Sequence, residues 1–229
     1  MKKLYAAIGI LGIVLMLLLS GCIEEKKEIS KEKIESAMKN VESYTVDINT
    51  SMSVAGMQMS FPMTIKVDVK NKKMQMSTEI MNQKMDMYLI GNVYYMKSFG
   101  VWTKQEINET PSYQLNEVKC WKNIKIVGEE KVDGIDCYKI SVDADEDCLK
   151  KITQQKLSTS SADEITKNIE IKEVYYWIDK NTNLIKKEKL TAEMTQEGIG
   201  TKITLNMEMI FKDYGKTSVE LPEEAKSAK

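Results

Sequence analysis

The reactive side chains of this chain are those of cysteine, lysine and the acidic residues, because its 229 residues include no histidine and no arginine. Without histidine it lacks the usual general base near neutral pH and the commonest metal ligand. Without arginine it lacks the bidentate clamp that most often binds carboxylate, phosphate or guanine. The net charge of −1 gives no electrostatic attraction for nucleic acid. The composition therefore predicts no enzyme, no cofactor, no metal and no nucleic-acid partner.

One cysteine lies where a covalent lipid could be attached. After a short basic start, residues 4–19 are apolar, and they are followed by Ser, Gly and Cys22. The apolar run is shorter than the roughly 20 residues of a membrane-spanning helix, and its small-residue end is typical of a signal peptide. Residues 19–22, Leu-Ser-Gly-Cys, resemble the lipobox of prokaryotic lipoproteins, in which the cysteine receives a diacylglycerol and the signal is cut before it.

The lipobox resemblance implies a division of the chain. Residues 1–21 are the expected signal peptide, 22–33 the lipidated cysteine with a charged tether, 34–220 the folded β domain, and 221–229 a polar tail. Two acyl chains on Cys22 would attach the protein stably to its membrane. We therefore expect it on the extracytoplasmic face of the cell membrane, with the membrane as its partner. An uncleaved N-terminal anchor helix is the alternative and gives the same location.

The other three cysteines would lie where disulfides are permitted. The Asp-Gly pair at 133–134 is a strong hairpin signal. A hairpin that closes there sets Cys120 opposite residue 145, close to Cys148. We therefore predict a Cys120–Cys148 disulfide with Cys137 free in mid-strand. Three reduced cysteines are the open alternative, and a zinc site is less favoured.

Methionine is unusually frequent, with 16 residues against three phenylalanines. Four methionine pairs are spaced i, i+2, so that in a strand both members of each pair point to one face. They are Met57 and Met59, Met74 and Met76, Met85 and Met87, and Met207 and Met209. Because methionine is flexible and polarisable, such faces suit a cavity for an apolar ligand, and we take these eight residues with Trp177 as its candidates. Packing of a methionine-rich core, or Cu(I) binding by thioethers such as Met57, Met59 and Met63, are the alternatives.

Two polar motifs have simpler interpretations. Residues 108–110, Asn-Glu-Thr, form a sequon in a predicted loop, so Asn108 is a candidate glycosylation site if the host glycosylates its surface proteins. The acidic run 143–147 begins like a calcium-binding loop, but Cys148 stands where that loop needs glycine. These acids are expected instead to complement the N-terminal end of a helix.

The elements that must position these residues are mostly strands. Apolar residues at helical spacing predict a helix over 30–41 with Ser30 as its N-cap, and a second helix is predicted over 145–157. From residue 45 onward the period is two, and about ten alternating runs separated by turn signals predict an antiparallel meander. We therefore expect a mainly β (α+β) domain, with a large curved antiparallel sheet and helices packed on one face.

Several segments together carry a family resemblance. They are the lipobox, a leading helix that ends near 43–44, Val-Tyr-Tyr-Met at 93–96 followed by Trp102, Gly-Ile-Asp-Cys-Tyr-Lys-Ile at 134–140, and Tyr-Trp-Ile-Asp-Lys-Asn-Thr-Asn-Leu-Ile-Lys at 176–186. The chain thereby resembles the Lol-type lipoprotein carrier superfamily, which includes mycobacterial glycolipid-carrying lipoproteins. The resemblance implies an open β-barrel whose concave side, covered by two or so helices, binds an acyl chain or other lipid. Carriers that ferry lipoproteins are soluble, whereas this chain keeps its own lipobox and is more similar to anchored members.

Two functions follow from these patterns. The first is a membrane-anchored surface lipoprotein that binds a hydrophobic ligand, a lipid or an acyl chain, without catalysis. The alternative is a structural or interaction lipoprotein of the envelope, with a closed core, no ligand and an envelope protein as partner. A cavity lined by the methionine faces would separate the two.

Overall fold

The computed structural model describes residues 29–54, 56–80, 83–98, 100–107, 113, 115–145, 147–148, 169–196 and 201–228. This part of the chain holds the α-helix α1 (Lys31–Lys39) and two 3₁₀ helices, Glu117–Cys120 and Glu223–Ser227. Its strands are β1 (Ser43–Val54), β2 (Met57–Asp68), β3 (Lys73–Ile80), β4 (Gln83–Ile90), β5 (Val93–Ser98), β6 (Val101–Glu106), β7 (Trp121–Val132), β8 (Ile135–Ala144), β9 (Ile169–Asp179), β10 (Ile185–Gln196) and β11 (Thr201–Lys212).

All eleven strands form one antiparallel sheet, in the order β6-β5-β4-β3-β2-β1-β11-β10-β9-β8-β7. Two meanders, β1 to β6 and β7 to β11, meet where β1 pairs with β11. The predicted mainly β class is therefore confirmed. A barrel is not, because β6 and β7 are the two edges of the sheet and do not pair with each other.

Short turns fix the register of the hairpins. Asp133 and Gly134, between β7 and β8, have φ of 50° and 80°. Two successive positive φ angles are the type I′ geometry, whose twist matches that of the flanking strands. Val132 therefore lies opposite Ile135, as the Asp-Gly signal predicts.

The helix α1 covers one face of the sheet, which we call the inner face. Ser30 caps the helix, since its Oγ accepts a hydrogen bond from the backbone N–H of Lys33 at 3.4 Å. Ile34 and Met38, four residues apart on one side of the helix, are buried in the main core. This core includes inner-face side chains of both meanders. The predicted first helix is therefore present, and of the predicted second helix Asp147 and Cys148 are helical while residues 149–157 lie outside the described residues.

Alternation does not predict strand β6. Its sequence, Val-Trp-Thr-Lys-Gln-Glu, places apolar and polar residues on both faces, so it has no apolar side that alternation could reveal. It forms because β5 offers it a hydrogen-bonding edge, with Val93 opposite Glu106 and Ser98 opposite Val101. Pairing with a neighbour, rather than local pattern, specifies this edge strand.

The C-terminal residues also differ from the expected polar tail. Ala225 and Ala228, both within the expected tail 221–229, are buried. Glu224 forms an ion pair with Lys97 of β5 at 2.7 Å. The folded domain therefore extends past residue 220, because Ala225 and Ala228 are three residues apart and share one buried side of the 3₁₀ turn, while Glu223, Glu224 and Lys226 are exposed.

Candidate ligand-binding face

The pairing register places all eight candidate methionines on the inner face. Directly paired residues of antiparallel strands point to the same side, and residues two apart in a strand share that side. Val46 of the main core lies opposite Phe211 of β11 and Ile65 of β2. Following this register from strand to strand shows that four further methionines, which are not part of the i, i+2 pairs, lie on the same face. All twelve methionines of the described strands lie there: Met52, Met57, Met59, Met63, Met74, Met76, Met85, Met87, Met96, Met194, Met207 and Met209.

The missed methionines could have been found by continuing each alternating run to its ends. Met63 follows Met59 with the same parity, and Met52 precedes the Gly56 turn with the parity of Val46. Met194 likewise ends an alternating run after Leu190 and Ala192, whereas Met96 has no such signal because β5 does not alternate between apolar and polar residues. The strand register assigns these two to the inner face.

Methionines from three neighbouring strands form a row on this face. Met87 of β4 lies directly between Met76 of β3 and Met96 of β5. The hydroxyl of Tyr94 donates a hydrogen bond to the sulfur of Met87 at 2.6 Å. Burial raises the pKa of Tyr94, so it remains a neutral donor at physiological pH.

The central inner face carries no charge. At the inner positions of β4, β3, β2, β1 and β11, every residue is apolar, Tyr, Thr or Gln. The nearest buried acid is Glu188 of β10, which lies opposite Met209 of β11 and Tyr176 of β9. Burial, followed by the charge of Glu188, raises the pKa of Tyr176 well above its ordinary value. The face can therefore hold apolar groups, and its tyrosines stay neutral.

Burial changes along the strands of this face. The first four residues of β1 and the last two of β2 are buried, at the end where α1 joins the sheet. At the other end of these strands Met57 and Met59 are 67% and 42% exposed. The inner face thus passes from a closed core to an exposed apolar surface within the length of one strand.

Tyrosines close the buried end. The hydroxyl of Tyr44 donates to the carbonyl of Tyr113 at 3.2 Å, and that of Tyr113 donates to the carbonyl of Gly91 at 3.3 Å. Burial raises the pKa of Tyr113 to about 12 and that of Tyr44 further. Each hydroxyl has a backbone acceptor, so these buried polar groups are satisfied without a ligand.

Trp177 does not belong to the inner face, which corrects its place among the cavity candidates. It follows Tyr176 directly in β9, and successive residues of a strand point to opposite faces. Trp177 packs with Val132 and Cys137 in a small second core on the outer face. Its indole N–H donates to the carboxylate of Glu130 at 2.9 Å.

Cys120 and Cys148 form a disulfide, the pairing that the hairpin spacing predicts, and Cys137 is free and buried. The bridge joins the start of β7 to the residues that follow β8. Asp145 accepts a hydrogen bond from the backbone N–H of Cys148 at 3.0 Å. That bond, with Lys122 nearby, lowers the pKa of Asp145. The acid thus caps the helical residues, as expected for the acidic run.

Other predicted sites have no described geometry. Cys22 and Asn108 lie outside the described residues. Among those described, no group of three or more His, Cys, Asp or Glu side chains could hold a metal ion. No helix among the described residues has the length and apolar character needed to cross a membrane.

The fold and this face define a class of mainly β proteins in which a single large antiparallel sheet presents a continuous apolar inner side. Residues 26–229 match a family described as a family of unknown function, DUF6612, and the chain belongs to that family. Among curated proteins, none matches its sequence.

Two solved structures share the fold. One is the lipoprotein LppX of Mycobacterium tuberculosis, 13% identical, with 84% of this chain and 96% of LppX covered and a TM-score of 0.52. The other is LprF from Mycobacterium bovis, 11% identical, with 85% and 95% covered and a TM-score of 0.54. A LolA superfamily protein from Nitrosomonas europaea, 9% identical, aligns over 86% of this chain and 97% of its own at a TM-score of 0.34. The predicted resemblance is thus confirmed as a likeness of fold, through LppX and LprF.

Proposed function

We propose that this protein is a lipid-anchored surface protein that holds an acyl chain or other lipid against its methionine-rich inner face, without catalysis. One observation carries the proposal. The uncharged inner positions of five neighbouring strands lead from a buried core to exposed apolar side chains at the opposite end. Exposed apolar surface of this kind usually marks a binding site in a folded protein.

The chemistry of the lining favours a flexible apolar ligand. A methionine side chain has three rotatable bonds and a polarisable sulfur, so it adapts to chains of different shape. A polar ligand would find few partners along the central strands, because the polar inner residues are Thr, Gln and Tyr44, whose hydroxyl already donates to the carbonyl of Tyr113. An acyl chain needs none, because its transfer from water to this face is favourable without hydrogen bonds.

The resemblance to Lol-type carriers supports the same ligand class. That resemblance implies lipid binding on the concave side of the sheet, and this chain shares its fold with LppX and LprF. The expected anchor on Cys22 would keep such a protein at the extracytoplasmic face of a membrane, where lipids are available.

Photo-crosslinking tests the ligand. Cells that make the full chain are supplied with a fatty acid that carries a diazirine and an alkyne, irradiated, and the purified protein is mapped by mass spectrometry. We expect adducts in inner-face peptides. Gln58 and Met59 provide a matched pair of variants, because both are exposed neighbours in β2 and face opposite sides. Met59→Glu should reduce the adduct yield severalfold, whereas Gln58→Glu should leave it unchanged.

Equal yields in the two variants, or adducts spread over both faces, would contradict lipid binding at this face. A protein without adducts would favour the alternative, an envelope lipoprotein whose partner is another protein.

The membrane anchor is tested separately, since Cys22→Ser should release the protein from membranes or leave it unprocessed. Unchanged migration and membrane partitioning of that variant would refute the lipoprotein assignment.

A further inference from the structure

Four of the six large exposed apolar side chains of the described residues gather at one end of the sheet, and the other two, Ile126 and Val127, lie in the middle of β7. Met57, Val101, Ile171 and Met59 are 67%, 63%, 48% and 42% exposed, and the register places all four on the inner face. They lie at or near the first residues of β2, β6 and β9. In this antiparallel sheet the starts of these three strands are at the same end, which we call the apolar end.

The opposite end of the sheet is polar. Its described turns contain Lys70 to Lys72, Asp133, Lys180 to Asn183, and Asp213 to Lys216. Water solvates these charged and amide side chains well. At the apolar end, described charged side chains such as Glu79, Lys84, Glu170 and Glu193 lie on the outer face. The inner side of that end is therefore apolar, whereas the opposite end is polar.

The N-terminal segment leaves the domain at the apolar end. The ammonium group of Lys31, in the first turn of α1, donates to the backbone carbonyls of Lys119 at 2.9 Å and Trp121 at 2.6 Å. Trp121 begins β7, and β7 starts at the same end of the sheet as β9 and β2. From there α1 crosses the inner face and leads into Ser43, the start of β1, at the polar end.

The remaining tether is short. Ile29 already packs against the main core and Ser30 caps α1, so a tether from Cys22 can include no more than residues 22–28, fewer than the expected 22–33. An extended chain spans at most about 3.3–3.6 Å per residue, so the seven steps from Cys22 to Ile29 reach about 25 Å. A lipid on Cys22 would thus hold the apolar end near the membrane surface.

We propose that the apolar end docks on the lipid bilayer that carries the Cys22 anchor, with Met57, Met59, Val101 and Ile171 in contact with the acyl region. Apolar side chains at an interface enter the boundary between head groups and acyl chains by about 5–10 Å. We choose a bilayer as the binding partner for two reasons. The tether to Cys22 holds this end of the domain close to the membrane, and acyl chains need no hydrogen-bond partners from these side chains. A lipid could then pass between bilayer and inner face without crossing water. The inference rests on the proposed function and adds its membrane orientation.

Depth-dependent quenching tests the docking. The full lipidated chain is reconstituted in phosphatidylcholine vesicles, with an environment-sensitive NBD label on Met57→Cys and, as control, on Lys216→Cys at the polar end. The native thiols do not interfere, because Cys120 and Cys148 are bonded to each other, Cys137 is buried and Cys22 would carry the lipid. Both labelled positions are exposed, so neither substitution disturbs the core.

Lipids brominated in the acyl chain should quench the label at 57 severalfold more than the label at 216, and Val101→Cys on another strand should follow 57. Equal quenching at 57, 101 and 216 overturns the docking. Fatty-acid photo-crosslinking of the same preparations separates this result from the proposed function. Crosslinking without selective quenching refutes the docking alone, whereas selective quenching without crosslinking supports the docking as a membrane contact and refutes the ligand.

Discussion

Tyr176 and Trp177 are consecutive residues of β9, yet they belong to two hydrophobic cores on opposite faces of the sheet. The ring of Tyr176 packs against Trp121 of the main core, with centroids 4.5 Å apart and the ring planes tilted by 47°. Trp177 instead lies beneath the ammonium groups of Lys139 and Lys187, at 5.0 Å and 4.9 Å from its ring. The sheet therefore buries aromatic residues on both sides at this point, and only the inner side continues into the methionine face.

Replacing Trp177 should lower the stability of the domain and leave ligand binding unchanged. Trp177→Ala removes a buried indole, so the free energy of unfolding should fall by about 3–5 kcal/mol. Trp177→Phe keeps most of the packing and loses the hydrogen bond to Glu130, at a cost of about 1 kcal/mol. Denaturant unfolding gives these values. The adduct yield of the folded variants in photo-crosslinking should match that of the parent. A selective loss of adducts would instead show that Trp177 contributes to ligand binding.

Removal of the Cys120–Cys148 disulfide should destabilise the domain. The bridge spans 28 residues, and a closed loop of that size stabilises by about 3–4 kcal/mol through the entropy of the unfolded chain. The double variant Cys120→Ala with Cys148→Ala should lose about this much in chemical denaturation. Reductant should lower the stability of the parent and leave that of the double variant unchanged. A parent insensitive to reductant would show that the bridge contributes little.

Cys137 should be unreactive in the native protein and should make stability depend on alkaline pH. Burial, and next the negative charge of Asp179, raise the pKa of its thiol to about 11 from an ordinary 9.0. Well below pH 9 the thiol is protonated in both states. Between about 9 and 11 it ionises only in the unfolded chain, so the free energy of unfolding falls as pH rises through this window.

Two measurements check this behaviour. A thiol reagent at pH 8 should label Cys137 only after unfolding. Urea unfolding at successive pH values should show a shallower decline for Cys137→Ala than for the parent between pH 9 and 11. The buried tyrosines affect both proteins alike, since Cys137 is on the other face of the sheet from Tyr44 and Tyr176. Parallel curves, or rapid native labelling, would contradict the assignment.

The C-terminal 3₁₀ helix should contribute to the stability of the domain. Ala225 is fully buried, so Ala225→Asp would bury a carboxylate and should lower the free energy of unfolding by about 2–4 kcal/mol. The adjacent Lys226 is exposed and pairs only with Glu223 at the surface. Lys226→Ala should therefore change stability by less than about 0.5 kcal/mol. If Ala225→Asp were equally mild in thermal and denaturant unfolding, these residues would be a tail after all.

Most of the strands could be located from sequence because the information that defines them is local. The alternation that begins at residue 45 and the turn at Asp133-Gly134 both involve residues close together in the chain. Together they set the register of the hairpin. The same locality explains why the Cys120–Cys148 pairing could be worked out, since both cysteines flank one hairpin. Strand β6 and the packing of Ala225 could not be found, because their partners are distant in sequence.

The sequence by itself determined which side chains of each strand share a face. It therefore grouped eight methionines in four pairs: Met57 and Met59, Met74 and Met76, Met85 and Met87, and Met207 and Met209. It did not determine which face of one strand continues into which face of the next. The tertiary structure decided that, by pairing residues of β1 and β11 that are 149 to 167 positions apart in the chain, and by placing α1 on one side only. Pairing distant strands joins the separate apolar stripes into one inner face and leaves Trp177 outside it. Local periodicity is fixed by backbone geometry, whereas the joining of stripes depends on contacts that form only when the whole sheet has assembled.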